Sequence, residues 1–595
     1  HLFQILMKKA LPHILFAVIL LIALLPAVQM RWSLIEEKPL NGAFELAEKP
    51  VLSYENWMSG DFQMQTEKYL KDHSGFRNFL IRLQNQLDFS LFKQANAEGA
   101  TVGKKGQLFE YDYIRSWLAL DYPGDSFLEK KLQRARFVQD YLKREKGIDL
   151  VVVFEPGKAS YYPEYLPSSY KKQKKGPSTY DYFVKKAKET GIDYIDLQQY
   201  FLELKDTSRY PLFPAYGTHW SVYGMKFAAD SLLRLIGNRR NLDLTDVRLT
   251  GIETSTRPRD TDDDVLKTMN LLCPMQGEEL AYPLLAFDTL NPGEKPMVLV
   301  VADSYYWNIF NTRIPKYVFA NEAFWYFNAL VYPDHYNRPT FTKDLDLKAE
   351  IEKQDIIFLM ITERFVHKFD WRFTDQLYEL YAPQGLSDPV YDKINNIMTV
   401  EEWFEKMITK AGYKHATLEE ILIDEGKYLY HMSDTAGFMI RYGEEYFRKM
   451  ISGDRKWMGH IEEKAARRGI PVEDMLVEDA LFVFKEKHPE LYKLNRSLES
   501  VRKHILANPD TLALLREEAR NYHFDPDLYL QHRAWEIVHR DEVAKTERAI
   551  RQYAPWLEDV ARKALENGIS VDEMIRLDAE YMWKERLRSV GFKEK

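Results

Sequence analysis

The chain has 595 residues, of which 45% are hydrophobic and 29% charged, and its formal net charge is −8. This length exceeds what one hydrophobic core supports, so we expect two or three domains, and the composition argues against extensive disorder. The negative charge argues against nucleic acid as a partner, because nucleic acid is bound through a basic face. The single cysteine, Cys273, excludes an internal disulfide bond.

The N-terminal segment is the part of the chain that indicates a compartment. Lys8 and Lys9 precede an apolar run from Ile14 to Val28, which is short for a helix that crosses about 30 Å of hydrocarbon. The lysines predict a cytoplasmic N-terminal side, so the main body is expected in the periplasm or extracytoplasmic space. No clear cleavage site follows, which favours an uncleaved single-pass inner-membrane anchor in residues 1–32 over a removed signal peptide.

The central part of the chain has the pattern of an α/β domain, which we expect to span residues 50–395. An amphipathic helix interrupted near Ser74-Gly75 and a glycine-framed strand and turn come first. Apolar strands then alternate with helices, which indicates a layered domain with a mainly parallel sheet. The strands are predicted at 149–156, 192–197, 296–305 and 355–365, and the helices at 180–191 and 224–237. Ligands of such sheets bind at the carboxyl ends of the strands.

Residues 400–595 are charged, helical and repetitive. The segment from Trp457 aligns without gaps on the segment from Trp556; a third copy starts at Trp403 and a weaker one at Thr511. Each copy is predicted to be a helical hairpin whose second helix has a small residue at one fixed place: Gly426, Ala480, Ala534 and Ala579. Helical hairpins of this kind bury their apolar faces against neighbouring copies. The region is either a docking module or an appendage that shields the preceding domain.

Ser304 and His219 are the residues whose surroundings indicate chemistry. Ser304 follows the apolar strand "VLVVA", so its hydroxyl is expected at a carboxyl end of the sheet, where a serine can act as a nucleophile. His219 lies in "YGTHWSVYG", which opens the segment that leads into the helix at 224–237. Histidine suits the role of base because its ordinary pKa is near neutrality. The alternative is a structural histidine bonded to a loop carbonyl.

Several motifs occur in an order that resembles a known family. They are Phe76-Arg77 in an amphipathic helix, "VGKKGQLFE", the Pro-x-Lys turn ending at Lys158, "GTHWSVYG" and "VADSY". Over roughly residues 55–370 the chain resembles the alginate O-acetyltransferase family of periplasmic SGNH-hydrolase-like proteins. The resemblance implies an SGNH-like α/β fold and a Ser-His-Asp triad in which Ser304 carries the acetyl group and His219 is the base. It does not extend to the repeats.

The acidic member of the triad is the main departure from the family pattern. The family has an acidic residue two positions before the histidine, where this chain has Gly217. Loss of such an acid can lower the rate about 10⁴-fold. Asp262, Asp263 and Asp264 in "RDTDDDVL" are candidates to replace it, with Asp264 the one selected, and a solvated acidic loop is the alternative. Asp303 is expected to support the turn at the serine.

Three further side chains are candidates for contact with substrate or with an oxyanion. Lys158 and Arg364 lie at the ends of two predicted strands and are each either a cation that faces the crevice or an ordinary surface charge. Trp220 is expected to pack beside His219 and restrict water. No metal-ligand spacing, phosphate-binding loop or dinucleotide fingerprint is present in the sequence, so we expect no metal and no cofactor.

These observations favour a membrane-anchored extracytoplasmic O-acetyltransferase that acts on an exported or cell-wall polysaccharide. The family resemblance implies a membrane-bound acyltransferase as the partner that supplies the acetyl group. Two alternatives remain open at this point: a carbohydrate acetyl esterase of the same fold, and a catalytically inactive protein that binds or scaffolds polysaccharide, which Gly217 and the long helical tail favour.

Overall fold

The computed structural model describes residues 2–42, 45–173, 176, 178–383 and 387–592. Its N-terminal part is helical, with α1 at Leu2–Trp32, α2 at Tyr54–Ser59, α3 at Asp61–His73 and α4 at Arg77–Phe92. The predicted interruption near Ser74-Gly75 is the turn between α3 and α4. Within the described residues, Leu11–Trp32 is the one stretch long and apolar enough to cross a membrane, with mean hydropathy 2.6; its most apolar 18 residues are not buried, whereas Gln29 near its end is.

The central region contains all ten strands of the described residues. They are β1 Ala100–Val102, β2 Leu108–Glu110, β3 Asp149–Glu155, β4 Tyr194–Asp196, β5 Val247–Ser255, β6 Leu280–Phe287, β7 Val298–Ala302, β8 Ala323–Tyr326, β9 Leu330–Tyr332 and β10 Ile356–Thr362. The helices here are α5 Tyr111–Trp117, α6 Asp125–Tyr141, α7 Lys158–Tyr161, α8 Ser168–Lys171, α9 Thr179–Thr190, α10 Leu197–Leu204, α11 Val222–Arg240, α12 Asp264–Thr268, α13 Tyr306–Asn311, α14 Ile314–Val318, α15 Leu347–Glu352 and α16 Phe373–Tyr381. Short 3₁₀ turns lie at Lys104–Gly106, Pro163–Tyr165, Asp334–Tyr336, Thr342–Asp344 and Glu363–Phe365, and a π turn at Leu142–Lys146.

Six of these strands form one sheet in the order β4-β3-β10-β7-β8-β9. The first five are parallel to one another, and β9 pairs antiparallel with β8. The predicted SGNH-like domain with a mainly parallel sheet is therefore confirmed. The sequence analysis missed β8 and β9, which have only four and three residues, and the separate hairpin β5–β6, in which β5 is largely exposed and β6 contains Pro283.

The sheet is buried on both faces because alternate residues of each strand point to opposite sides. On β3, Val152 and Phe154 pack in a core with α6, α9 and α16, whereas Val151 and Val153 pack in a second core with α11 and α13. The first core continues without a break into the C-terminal helices. The C-terminal region thus covers one side of the α/β domain.

The C-terminal region is entirely helical over the described residues. Its helices are α17 Pro389–Thr399, α18 Glu401–Lys414, α19 Leu418–Ser433, α20 Thr435–Ser452, α21 Arg455–Arg468, α22 Val472–Lys487, α23 Pro489–Ala507, α24 Pro509–Asn521, α25 Pro526–Gln552, α26 Ala554–Asn567 and α27 Val571–Ser589. The small residues singled out from the sequence are buried, as close helix packing requires: Gly426, Ala480, Ala534 and Ala579. At Gly426 an added Cβ would lie 2.8 Å from the side chain of Ile394 on α17.

Candidate active site

Ser304 lies immediately beyond the carboxyl end of β7, in the turn that leads into α13. It is partly exposed, whereas its neighbours Asp303 and Tyr305 are buried. Asp303 fixes the turn: its Oδ1 accepts a bond from Tyr305 N at 2.9 Å, and its Oδ2 accepts from Thr362 N at 3.0 Å and Thr362 Oγ1 at 2.7 Å. Asp303 therefore supports the turn from the neighbouring strand β10 and leaves the serine hydroxyl accessible.

His219 is placed by the loop that precedes α11. Ser221 caps that helix by accepting from Gly224 N at 2.9 Å, and Tyr305 Oη donates to Thr218 O at 2.9 Å. The imidazole ring lies 4.8 Å from the Tyr305 ring between centroids. In this position His219 Nε2 is 2.8 Å from Ser304 Oγ. The two side chains that the sequence predicts to meet are within hydrogen-bond distance across a sequence separation of 85 residues.

Asp264 lies on the other side of the imidazole. Its Oδ2 is 2.5 Å from His219 Nδ1, and its Oδ1 accepts from the Thr218 and Val265 N–H groups at 2.8 and 2.7 Å. Burial raises the pKa of this carboxyl, but the charge of His219 and these bonds outweigh burial and hold the pKa below its ordinary value. The ionised carboxylate favours the tautomer with a proton on Nδ1, which leaves Nε2 free to accept from Ser304.

The segment "RDTDDDVL" is not the solvated acidic loop weighed as the alternative. Asp262 is fully buried, and its Oδ1 accepts from Val222 N at 3.3 Å, at the start of α11. Burial raises the pKa of Asp262 to about 7. Asp263 forms an ion pair with Lys267 at 2.6 Å. Of the three neighbouring carboxylates, Asp264 is the one in contact with His219.

Gly217 explains why the carboxylate that contacts His219 comes from the segment that contains Asp264. A Cβ at position 217 would lie 2.6 Å from Thr261 O and 3.0 Å from the carbonyl carbon of Asp262. Any side chain there would collide with the backbone that leads to Asp264. The site that an acidic residue two positions before the histidine would occupy is thus filled by the backbone of residues 261 and 262.

Lys158 is buried beneath the His219 loop, which corrects the expectation that it faces the crevice. Its side chain is fully buried, and Nζ donates to the carbonyl oxygens of Pro214, Ala215 and Gly217 at 2.6, 3.0 and 2.7 Å. Burial lowers the pKa of this ammonium to about 7, against the opposing attraction of nearby carboxylates. Lys158 therefore holds the backbone of the loop rather than contacting substrate.

Trp220 and Arg364 also have structural partners. Trp220 is fully buried, stacks on Phe201 at 5.8 Å and meets the Tyr305 ring at 5.0 Å between ring centroids, so it packs behind the site and is not a substrate contact. The Arg364 guanidinium forms an ion pair with Glu110, whose Oε2 also accepts from Thr218 Oγ1 at 3.3 Å. The side chain of Arg364 is 13% exposed, so it supports the His219 loop through Glu110 and is not an ordinary surface charge.

Glu155 is a buried carboxyl that the sequence analysis missed. It ends β3, opposite Thr362 of β10, and is fully buried next to Asp303. Burial, followed by the charge of Asp303, raises the pKa of Glu155 well above its ordinary value. The sequence analysis located this strand by its continuous apolar run, which stops at Pro156. The charged residue immediately before that proline, Glu155, was the signal that could have identified the buried carboxyl.

One carboxylate cluster of the described residues is tight enough to hold a metal ion, but a cation of the protein already lies within it. Asp112, Glu401 and Glu405 converge there. Arg115, whose side chain is 3% exposed, forms ion pairs with all three. This cluster joins α5 to α18 and lies outside the serine site.

Comparison with known proteins extends these observations. Residues 101–295 match the family model described as the SGNH hydrolase-like domain of the acetyltransferase AlgX. Over this segment the predicted family resemblance is confirmed. The match includes His219, Asp264 and Lys158 and ends before Ser304. No curated protein matches the chain at the significance required.

Three solved structures are among those that are similar to the chain. They are the O-acetyltransferase domain of Pseudomonas putida AlgJ, with 21% identity, TM-score 0.33 and coverage of 47% of this chain and 99% of that one; Pseudomonas aeruginosa AlgX, with 16%, 0.26, 44% and 55%; and Bacillus cereus PatB1, with 13%, 0.24, 45% and 99%.

Proposed function

We propose that this protein is an O-acetyltransferase that acts on an exported or cell-wall polysaccharide through an acetyl ester of Ser304. The observation that carries the proposal is the alignment of Asp264, His219 and Ser304, with 2.5 Å at Nδ1 and 2.8 Å at Nε2. The similarity of residues 101–295 to the AlgX acetyltransferase domain supports the same chemistry. The carboxylate of Asp264 removes one of the two reasons for favouring an inactive scaffold, namely the missing acid at Gly217.

In the first half-reaction Ser304 Oγ attacks the carbonyl carbon of an acetyl donor. His219 Nε2 accepts the hydroxyl proton, and Asp264 stabilises the imidazolium through Nδ1. Collapse of the tetrahedral intermediate breaks the bond between the acetyl carbon and the donor heteroatom, which takes the proton from Nε2 as it leaves. The product is an ester between Ser304 and acetate.

In the second half-reaction a sugar hydroxyl takes the place of the departed donor. His219 Nε2 accepts its proton while the oxygen attacks the acetyl carbon of the ester. The bond to Ser304 Oγ then breaks, and the proton on Nε2 returns to that oxygen. The partial exposure of Ser304 is consistent with access by a bulky acceptor.

The N-terminal helix supports a location for the protein at the inner membrane. The apolar stretch Leu11–Trp32 serves as a signal anchor in the inner membrane, with the main body in the periplasm, where exported polysaccharide is available. A membrane-bound acyltransferase is the proposed source of the acetyl group.

The experiment is to incubate the full-length protein in detergent with p-nitrophenyl acetate and record its intact mass. We expect one acetyl adduct on Ser304 in the wild type and none in Ser304→Ala, with Asp264→Asn acetylated about 10⁴-fold more slowly. Ser160→Ala is the control, since Ser160 donates to Glu363 and not to His219.

The same protein, given acetylated glycan with increasing acceptor sugar, distinguishes transfer from hydrolysis. Transfer predicts that acetylated acceptor replaces free acetate as the acceptor concentration rises. Undiminished release of acetate at saturating acceptor would identify an esterase, and a wild type that forms no adduct would contradict serine chemistry altogether.

A further inference from the structure

Helix α12, which carries Asp264, rests on N-terminal parts of the chain. Val265 of this helix and Met269, the residue that follows it, pack in a small core, separate from the two sheet cores, with Phe89 of α4, Leu108 of β2 and Tyr216. The position of the carboxylate behind His219 therefore depends on elements that precede the six-stranded sheet in the chain.

Helix α4 is bonded to the end of α12 by buried side chains. Asn85 Nδ2 donates to Met269 O at 2.8 Å and to Asn270 O at 3.5 Å. Arg82 Nη1 donates to Asn270 Oδ1 at 3.4 Å. The side chains of these residues are polar yet 8–9% exposed, so their bonds fix α12 against α4 in a setting from which water is largely excluded.

A second tie comes from residues 37–41, which follow the apolar helix and which we call the strap. Asn41 N donates to Asn270 Oδ1 at 2.7 Å, Asn270 Nδ2 donates to Asn41 O at 2.9 Å, and Asn41 Nδ2 donates to Lys267 O at 3.0 Å. The strap is fixed to α4 in turn, because Arg82 Nη2 donates to Pro39 O at 2.7 Å and Glu37 accepts from Phe76 N at 2.7 Å.

The turn between α3 and α4 is in contact with the apolar helix itself. Gly75 N donates to Pro26 O at 3.2 Å, and a Cβ at Gly75 would lie 2.4 Å from Gln29 Cβ. Contacts therefore run without interruption from the end of α1, through α4 and the strap, to the helix that carries Asp264.

We infer that α4 and the strap position the carboxylate of Asp264, so that Asn85 and Asn270 are positioning residues for the acetyl transfer proposed above. The inference rests on that proposed function for its consequence in rate. Loss of these bonds frees α12 to move away from His219, and a displacement of about 1 Å at a reacting group lowers a rate about 10²-fold.

The test uses the full chain in detergent and three variants. Asn85→Leu removes the donor to Met269 O and Asn270 O and keeps a side chain of similar volume. Asn270→Gly removes the side chain that binds the strap, and glycine adopts the left-handed backbone conformation of this position, where φ is 48°. Ser90→Ala is the matched control, because Ser90 is exposed on α4 and accepts from Gln86 Nε2 of the same helix at 3.0 Å, with no bond to α12 or to the strap among the described residues.

With p-nitrophenyl acetate we expect Asn85→Leu and Asn270→Gly to lower kcat about 10²-fold without a rise in KM, and Ser90→Ala to stay within twofold of the wild type. In an Asp264→Asn background the first two substitutions should cause no further loss, since they act through that carboxylate. Wild-type rates in both variants, or equal losses in the two backgrounds, would overturn the inference.

Hydrogen–deuterium exchange provides a readout that does not need activity. We expect faster exchange in the peptide that contains residues 261–270 for Asn85→Leu and Asn270→Gly, and unchanged exchange for Ser90→Ala. If the wild type forms no Ser304 adduct, the proposed function fails while the exchange result still decides whether α4 and the strap hold α12. Unchanged exchange in all three variants would overturn the positioning role.

Discussion

At the scale of single residues, the carboxyl groups around the serine turn have different protonation because their partners differ. Asp264 meets an imidazole and two N–H groups, which favour its charge. Glu155 meets apolar strands and the already negative Asp303, which oppose a second charge. Both carboxyl oxygens of Asp303 accept hydrogen bonds, Oδ1 from Tyr305 N and Oδ2 from Thr362 Oγ1. Glu155 is therefore expected to keep its proton to a higher pH than an exposed glutamate, because its pKa is raised well above the ordinary value.

The buried Glu155 predicts a pH-dependent stability. Unfolded glutamate ionises near pH 4.3, whereas folded Glu155 keeps its proton to higher pH, so the folded state binds more protons and stability falls as pH rises above that value. Glu155→Gln removes this loss. We expect its melting temperature to exceed that of the wild type by a few degrees at pH 8, since one pKa unit corresponds to about 1.4 kcal/mol, and by less at pH 5.

Thermal unfolding of both proteins followed by circular dichroism at the two pH values measures this difference. Glu566→Gln, at an exposed glutamate of α26, is the control and should shift neither melting temperature. A Glu155→Gln variant that is less stable than the wild type at pH 8 would show that the folded protein holds Glu155 ionised.

At the scale of elements, the site depends on the close approach of two loops. Residues 211–221 deliver His219, and residues 260–264 deliver Asp264. Leu266 N donates to Tyr216 O at 3.1 Å, and Lys158 binds three carbonyls of the first loop from below. Gly217 lies where the two backbones meet, so the absence of a side chain there is what allows the carboxylate to come from the second loop.

Gly217→Ala should therefore damage the reaction without touching a catalytic residue. Its Cβ would lie 2.6 Å from Thr261 O, which forces the second loop away from His219. We expect kcat for p-nitrophenyl acetate to fall about 10²-fold. Gly277→Ala is the control, since its Cβ would meet Tyr216 at an ordinary 3.4 Å. Wild-type turnover in Gly217→Ala would show that the contact relaxes freely.

At the scale of the whole molecule, the helical region completes a core. Phe524 of the C-terminal region packs on Phe137 of α6 at 5.5 Å between ring centroids. Beneath α17, the buried Lys131 and Arg134 are ion-paired with Asp375, which also accepts from Tyr391 and Asn395. Without the C-terminal helices, these charged groups would lose bonding partners and the apolar side chains that the helices cover would be exposed to water. The contacts therefore favour the interpretation of this region as a structural part that shields the α/β domain.

Truncation after Pro383 tests that reading. We expect the shortened chain to be insoluble or to melt at least 10 °C below the full protein. The truncation removes Glu401 and Glu405, which pair with the buried Arg115, and breaking a buried ion pair costs about 3–5 kcal/mol. Removal of residues 553–595, which include the terminal hairpin α26–α27, is the control and should cost less. Fluorescence-monitored unfolding measures both, and a truncated protein with full stability and Ser304 acetylation would instead identify a dispensable docking module.

Much of the fold was predictable because it depends on local patterns. Continuous apolar runs located β3, β7 and β10, and gapless repeats located the helical hairpins. The strands β8 and β9 were missed because four and three residues are too few for a periodic pattern to be recognised. Ser304 and His219 were predictable because motif order indicated both, and the ends of parallel strands and their following loops meet at one edge of a sheet.

The sequence by itself determined the apolar N-terminal helix, the α/β and all-helical regions, and a serine and a histidine that meet. Only the tertiary structure decided that Asp264 lies behind His219, that Lys158 and Trp220 are buried, and that α4 and the strap hold α12. The physical reason is that the first set follows from residue periodicity and strand direction, whereas the second follows from contacts between segments far apart in the chain, where the space left by Gly217 is visible only after folding.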